Sequence, residues 1–209
     1  MAETRAILYG FWASSCTWRV RAALHFKGIA FEEKSVDIVT EQKQLTDEYR
    51  YINPSQKVPA LVMNGETIVE SMAIIQYVEE IKPEASLVPT TPILRARMRE
   101  ICETIVSGIQ PLQNIGLKRR FDSEHKFKEF AEYFTSRGLE SVEELLKKTA
   151  GRFCIGDQIT VADLCLVPQV YNGIVRYKMN MEKFPIVSSV YEHLLKEKTF
   201  IETHPKNIK

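Results

Sequence analysis

The chain has 209 residues, 44% hydrophobic and 26% charged, with 28 Lys+Arg set against 27 Asp+Glu. That is enough chain for one large domain or two small ones, and the composition excludes disordered, collagen-like and coiled-coil classes. A formal charge of +1 gives no overall field that would favour nucleic acid or an anionic membrane surface.

The first eighty residues alternate element types. Ala6 to Tyr9 reads as a short apolar strand. A well-buried helix from Thr17 to Lys27 follows, with Gly28 as its C-cap. Phe31 to Val36 is a second strand, and Gln42 to Arg50 is weakly helical. Asn64-Gly65, between the apolar stretches Val58 to Met63 and Thr67 to Val69, is a strong two-residue hairpin signal. Ser71 to Ile81 is helical by periodicity. The order β-α-β-α-β-β-α over residues 1–83 predicts a thioredoxin-like α/β domain. Residues 84–91, rich in turn formers, read as a linker. Residues 92–209 show only helical periodicity and read as an all-α domain. Its expected helices are Pro92 to Leu117, Ser123 to Lys148, Thr160 to Val175 and Ile186 to Lys196. Thr160-Val161-Ala162-Asp163 has the form of a capping box.

The cysteines Cys16, Cys102, Cys154 and Cys165 form no C-x-x-C pair, and no histidine sits at zinc-ligand spacing from them, so no metal site is expected. Scattered single cysteines predict reduced thiols in a cytosol-like compartment. No apolar run approaches the roughly 20 residues that span a bilayer, and the N-terminus lacks a signal-peptide pattern. A soluble, cytoplasmic protein is therefore expected, with the mitochondrion left open.

Ser14-Ser15-Cys16 lies where the first strand meets the first helix. A helix N-terminus leaves amide donors unpaired and carries partial positive charge, which stabilises anions and thiolates. The site suits Cys16 as a nucleophile in its own right, or hydroxyls that hold the thiolate of another molecule; capping by Ser14 and Ser15 is the plain structural alternative. Val58-Pro59 opens a strand at the position where thioredoxin-like folds carry a cis proline that exposes the preceding backbone to an extended ligand. Glu70-Ser71 offers amides and a hydroxyl at the start of the third helix.

Ser14-Ser15-Cys16-x-Trp18-Arg19-Val20-Arg21 resembles the signature of zeta-class glutathione transferases. Agreement continues at Asn53-Pro54, Val58-Pro59, Glu70-Ser71, Gly108-Ile109-Gln110-Pro111-Leu112-Gln113-Asn114, Gly156-Asp157, Ala162 to Val170 and Phe184-Pro185, nearly the whole chain. The resemblance implies a glutathione transferase fold, glutathione as cofactor, a small-molecule electrophile as substrate and a homodimer. It implies cis–trans isomerisation of maleylacetoacetate to fumarylacetoacetate, a step of tyrosine and phenylalanine breakdown, with transferase activity on small α-halo acids. A transferase of xenobiotics or peroxides and a non-catalytic binding module are the alternatives. Carried over by position, Ser14, Ser15 and Cys16 are the catalytic candidates, Ser14 or Ser15 bonding the sulfur with Cys16 beside it, and Thr17, Trp18 and Arg19 join them as glutathione-binding residues. Val58 pairs with the cysteinyl portion, and Glu70 and Ser71 hold the γ-glutamyl end. Gln44 and Lys57 reach the glycyl end, Gln110 and Asn114 approach from the helical domain, and Arg176 anchors the substrate carboxylate. Ala13 stands where many relatives carry arginine, and Glu70 where some carry glutamine.

Overall fold

The computed structural model of the chain describes residues 6–208. Its first half follows the expected alternation: β1 (Ala6–Gly10), α1 (Ser15–Phe26), β2 (Phe31–Ser35), α2 (Asp47–Ile52), β3 (Ala60–Met63), β4 (Glu66–Val69) and α3 (Ser71–Ile81). The four strands form one mixed sheet in the order β2-β1-β3-β4, with β1 parallel to β2 and antiparallel to β3. Asn64 and Gly65 both have positive φ (55° and 83°), the backbone that a tight primed turn between β3 and β4 requires. β2 is one of the two edge strands, and its Glu32, Glu33 and Lys34 are the charged residues that keep an edge from pairing further.

The helical stretch expected over Gln42 to Arg50 is split. A 3₁₀ turn, Lys43–Leu45, ends at Thr46, which adopts an extended backbone and caps α2 by accepting the Tyr49 amide at 3.2 Å. A residue cannot be both helix interior and N-cap, so the cap divides the segment.

The rest of the chain is helical: α4 (Pro92–Val106), α5 (Glu124–Leu146), α6 (Val161–Tyr177), α7 (Pro185–Leu194) and α8 (Lys198–Glu202). The long helix expected from Pro92 to Leu117 stops at Val106, and two 3₁₀ turns, Gln110–Gln113 and Ile115–Arg120, replace its second half. Pro111 has no amide to give and its ring excludes a continuing helix behind it. Lys118, Arg119 and Arg120 therefore close a short 3₁₀ turn rather than a long helix. The capping box forms as expected: Asp163 Oδ2 accepts the Thr160 amide at 2.7 Å, and Oδ1 accepts the Cys154 amide at 2.8 Å.

The contacts divide the chain into two units. One comprises the residues through Ser86 together with those from Lys198 onward; the other is Leu87–Glu197. The terminal segment joins the first unit through α1: Trp18 Nε1 donates to Thr203 Oγ1 at 2.9 Å, and His25 Nε2 meets Glu202 Oε2 at 2.6 Å. The first unit is built around Leu8, Val20, Leu24, Leu61, Ile74 and Val78, and the second around Ile101, Ile105, Leu139, Leu164 and Val170, all fully buried. No helix among the described residues is long and apolar enough to cross a membrane.

Candidate functional site

Strand register brings the candidate residues of the first unit to one end of the sheet, the C-terminal end of β1. Tyr9 pairs with Ala60, Ala60 with Val69, and Gly10 with Ser35. The segment that leaves β1 (Ser14–Cys16), the one that enters β3 (Val58-Pro59) and the one that leaves β4 (Glu70-Ser71) thus emerge from the same end. The β2–α2 connection, which carries Gln44, begins there too.

The β1–α1 turn is tight. Ser14 donates its amide to the Phe11 carbonyl at 2.9 Å, and Ser14 Oγ accepts the Thr17 amide at 3.2 Å as the N-cap of α1. Thr17 Oγ1 accepts the Phe11 amide at 3.3 Å, which draws the helix onto the end of the strand. The approach requires glycine at position 10, since a Cβ there would lie 2.3 Å from Thr17 Cγ2. No acidic residue occupies the first turn of α1, so its positive end is uncompensated. The Ser15 and Cys16 amides make no hydrogen bond among the described residues. Ser15 is buried and Cys16 half-buried. Ser14 Oγ spends a lone pair on the cap and keeps its hydrogen to donate.

The Val58–Pro59 peptide is cis. The loop before it is anchored at the Lys57 carbonyl, which accepts from both Tyr49 Oη and Asn53 Nδ2 at 2.7 Å. Asn53 also accepts the Ser55 amide at 2.9 Å. No backbone hydrogen bond engages the Val58 N–H or C=O among the described residues. Lys57 is exposed, and buried Gln44 Oε1 has no hydrogen-bond partner. Gln56, at positive φ, likewise holds a buried, unpartnered Nε2. Tyr49, Asn53 and Gln56 were not among the sequence candidates; Asn53 ahead of Pro54 was the available signal, an Asx turn.

At the start of α3, Glu70 has φ 67° and ψ 119°, a conformation that costs a non-glycine residue about 1–3 kcal/mol. Its side chain caps nothing, and the Ser71 amide makes no hydrogen bond among the described residues. Ser71 Oγ accepts from Arg19 Nη1 at 3.3 Å. A strained, uncapped helix start with a cation behind it is an anion site in the making.

Gln110, Asn114 and Arg176 belong to the second unit. Asn114 Oδ1 accepts the Gly116 amide at 2.9 Å, capping the second 3₁₀ turn. Gln113, between them, exchanges hydrogen bonds with Gln169 (2.9 and 3.2 Å), and its carbonyl accepts from Tyr177 Oη at 3.4 Å. This buried network ties the Gln110–Asn114 turn to the last turn of α6, where Arg176 sits. Burial lowers the Arg176 pKa. No local signal marks Gln113 and Gln169 as partners, because their pairing spans 56 residues. A hollow of about 230 Å³ lined by Ser136, Tyr177, Asn180 and Lys183 contains none of the sequence-derived candidates. Cys102, Cys154 and Cys165 are buried, and burial pushes the Cys154 thiol up. No group of three or more metal-ligating side chains gathers among the described residues.

Family profiles agree with this geometry. The profile of the glutathione S-transferase N-terminal domain matches residues 4–80, and that of the C-terminal domain matches residues 117–207. A probable maleylacetoacetate isomerase 1 of Drosophila melanogaster is 43% identical over 204 residues, 97% of this chain and 82% of that protein. Maleylacetoacetate isomerase from Anaeromyxobacter dehalogenans 2CP-1, solved with GSH bound in its active site, is 38% identical with a TM-score of 0.86, covering 97% of this chain and 96% of its own. A bacterial maleyl pyruvate isomerase, described as a zeta-class glutathione S-transferase in its holo form, is 30% identical with a TM-score of 0.91, covering 96% and 97%.

Proposed function

The chain belongs to the glutathione S-transferase family, in the zeta-class branch of the maleylacetoacetate isomerases, and from that premise we propose that it binds glutathione at that end of the sheet in its first unit and isomerises maleylacetoacetate to fumarylacetoacetate. The observation that carries the proposal is the set of unused polar groups at that end. Open amides at the start of α1, the unpaired Val58 backbone and the uncapped start of α3 suit an extended peptide with an anionic sulfur and a carboxylate.

When bound, the cofactor supplies a nucleophilic thiolate for reversible addition to the activated cis double bond and, with small α-halo acids, for displacement of halide. The protein's task is to keep that sulfur ionised. A thiol of pKa about 8.5 is a few per cent thiolate at neutral pH; lowering it by about two units requires roughly 2.7 kcal/mol of differential stabilisation. A hydrogen bond from Ser14 Oγ to a charged sulfur contributes about 1.5–3 kcal/mol, and the end of α1 about 0.3–1 kcal/mol. Their sum, about 1.8–4 kcal/mol, brackets that requirement. Ser15 and Cys16, with Thr17 and Trp18 behind them, complete the sulfur side. Val58 pairs with the cysteinyl backbone, Glu70 and Ser71 with the γ-glutamyl end, and Gln44 and Lys57 with the glycyl end. Gln110 and Asn114, assigned by resemblance to the cofactor, and Arg176, assigned to a substrate carboxylate, belong to the second unit. A homodimer is part of the proposal, checked by sedimentation mass.

The test is isomerisation of maleylacetone with and without glutathione, in wild type, Ser14→Ala and Ser15→Ala. Activity that depends on glutathione and falls in Ser14→Ala supports the proposal. Isomerisation that proceeds unchanged without glutathione overturns it.

A further inference from the structure

Helix α1 and its C-cap bury three basic side chains, and the fold treats them unequally. Arg21, 1% exposed, is held by both Glu33 carboxylate oxygens at 2.7 Å. Lys27, 3% exposed, pairs with Glu79 at 2.6 Å and also donates to the Lys82 and Glu84 carbonyls. Arg19 is fully buried, yet no carboxylate among the described residues lies within ion-pair distance of it. Its Nη1 donates to Ser71 Oγ, while Nε and Nη2 have no partner. A buried charge without a counter-ion is costly, and a fold that supplied carboxylates to its two neighbours has not supplied one here.

We propose that Arg19 is a positioning residue for the γ-glutamyl α-carboxylate: its guanidinium aims the Ser71 hydroxyl outward at that group and contributes the positive charge that the carboxylate neutralises. A hydroxyl has one hydrogen. Because Ser71 Oγ accepts from Arg19, its hydrogen points at some other acceptor. The Ser71 amide, also unused, stands at the uncapped start of α3. Amide, hydroxyl and helix end together form a three-part cradle for one carboxylate, with Arg19 as the fixed charge beneath it. Arg19 is itself inaccessible, so it acts through Ser71 and does not touch the ligand. The assignment rests on the glutathione proposal and goes further, naming which carboxylate the first unit selects and which buried group makes it selective.

Calorimetric dissociation constants test it with three peptides: glutathione, 4-aminobutyryl-cysteinyl-glycine (which lacks the γ-glutamyl α-carboxylate) and glutathione glycinamide (which lacks the glycyl carboxylate). Wild type, Arg19→Met, Arg19→Lys and Ser71→Ala are compared. Arg19→Met should weaken glutathione and its glycinamide about 10–100-fold and leave the decarboxylated peptide nearly unchanged, the range expected for a hydrogen bond to a charged group. Arg19→Lys should recover part of the loss. On a Ser71→Ala background, Arg19→Met should add little. The thermal midpoint of ligand-free Arg19→Met should equal or exceed that of wild type, because an unpaired buried charge gives way to an apolar chain of similar length. Equal loss for all three peptides, a lower midpoint or failure of Arg19→Met to fold would mean a structural role and overturn the assignment. Wild type that binds none of the peptides would instead overturn the glutathione proposal itself.

Discussion

Ser14 is given two tasks by the geometry, and a substitution exists that separates them. Its oxygen caps α1 by accepting the Thr17 amide at 3.2 Å, and its hydrogen remains for the cofactor sulfur. Ser14→Ala removes both. Loss of the cap costs about 1 kcal/mol, which in a chain of this length lowers the thermal midpoint by about 2–4 °C. Loss of the sulfur hydrogen bond, worth about 1.5–3 kcal/mol, raises the thiol pKa of bound glutathione by about one to two units. Ser14→Asp keeps an N-cap acceptor and adds a negative charge favourable to the helix end, so stability holds or rises. The same charge beside a thiolate is repulsive, about 4 kcal/mol at 4 Å with an effective dielectric of 20, and drives the sulfur toward its protonated form. Differential scanning calorimetry and ultraviolet titration of the thiolate on both variants read the two effects separately. A Ser14→Asp protein that is stable and still ionises bound glutathione like wild type would refute the sulfur role. A Ser14→Ala protein with an unchanged midpoint would refute the cap.

The remaining expectations concern the scaffold. Asp163→Ala orphans the buried Thr160 and Cys154 amides, at about 1–3 kcal/mol each, and urea unfolding should show a loss of about 2–4 kcal/mol once relief of the buried carboxylate is allowed for. Burial raises the Asp163 pKa, which is why that relief is partial compensation. Gln113→Leu leaves the Gln169 amide unsatisfied and should cost about 1–3 kcal/mol, whereas Gln113→Leu with Gln169→Leu should recover much of it, because both partners are then apolar. The Asp37 carboxyl, bonded chiefly by the Thr40 hydroxyl and then by the Thr40 and Val39 amides, is held down to about 2 from an ordinary 3.8. A depressed carboxylate pKa stabilises the fold above the unfolded value and loses that contribution as pH falls through the folded one. NMR titration should therefore show Asp37 ionised at pH 3, with its loop loosening between about pH 4 and 2.

Much of the first unit was legible because its signals are local. Asn64-Gly65 dictates a tight turn, Val58-Pro59 sits where a cis bond opens that end of the sheet, and Thr160 to Asp163 spells its own cap. The break after Val106 is poorly marked in the sequence: Gly108 and Pro111 favour it, but Leu112 and Ile115 continue the apolar spacing across it. The grouping of the terminal segment with α1 had no local signal, since Trp18 and Thr203 are 185 residues apart in sequence. The candidate site divides the same way. Ser14 and Ser71 announce themselves as hydroxyls at helix starts. Arg19, beside them in the motif, looks equivalent to Arg21 until the structure shows that only Arg21 has a carboxylate.

All of the proposed chemistry depends on an acidic sulfur. Ultraviolet titration of glutathione bound to the wild-type protein measures it directly. The thiolate band should appear with a midpoint about two units below the roughly 8.5 of a free thiol, so that most of the ligand is ionised at pH 7. A midpoint indistinguishable from that of glutathione in buffer would contradict the account, leaving the Ser14-capped helix start as a scaffold feature alone.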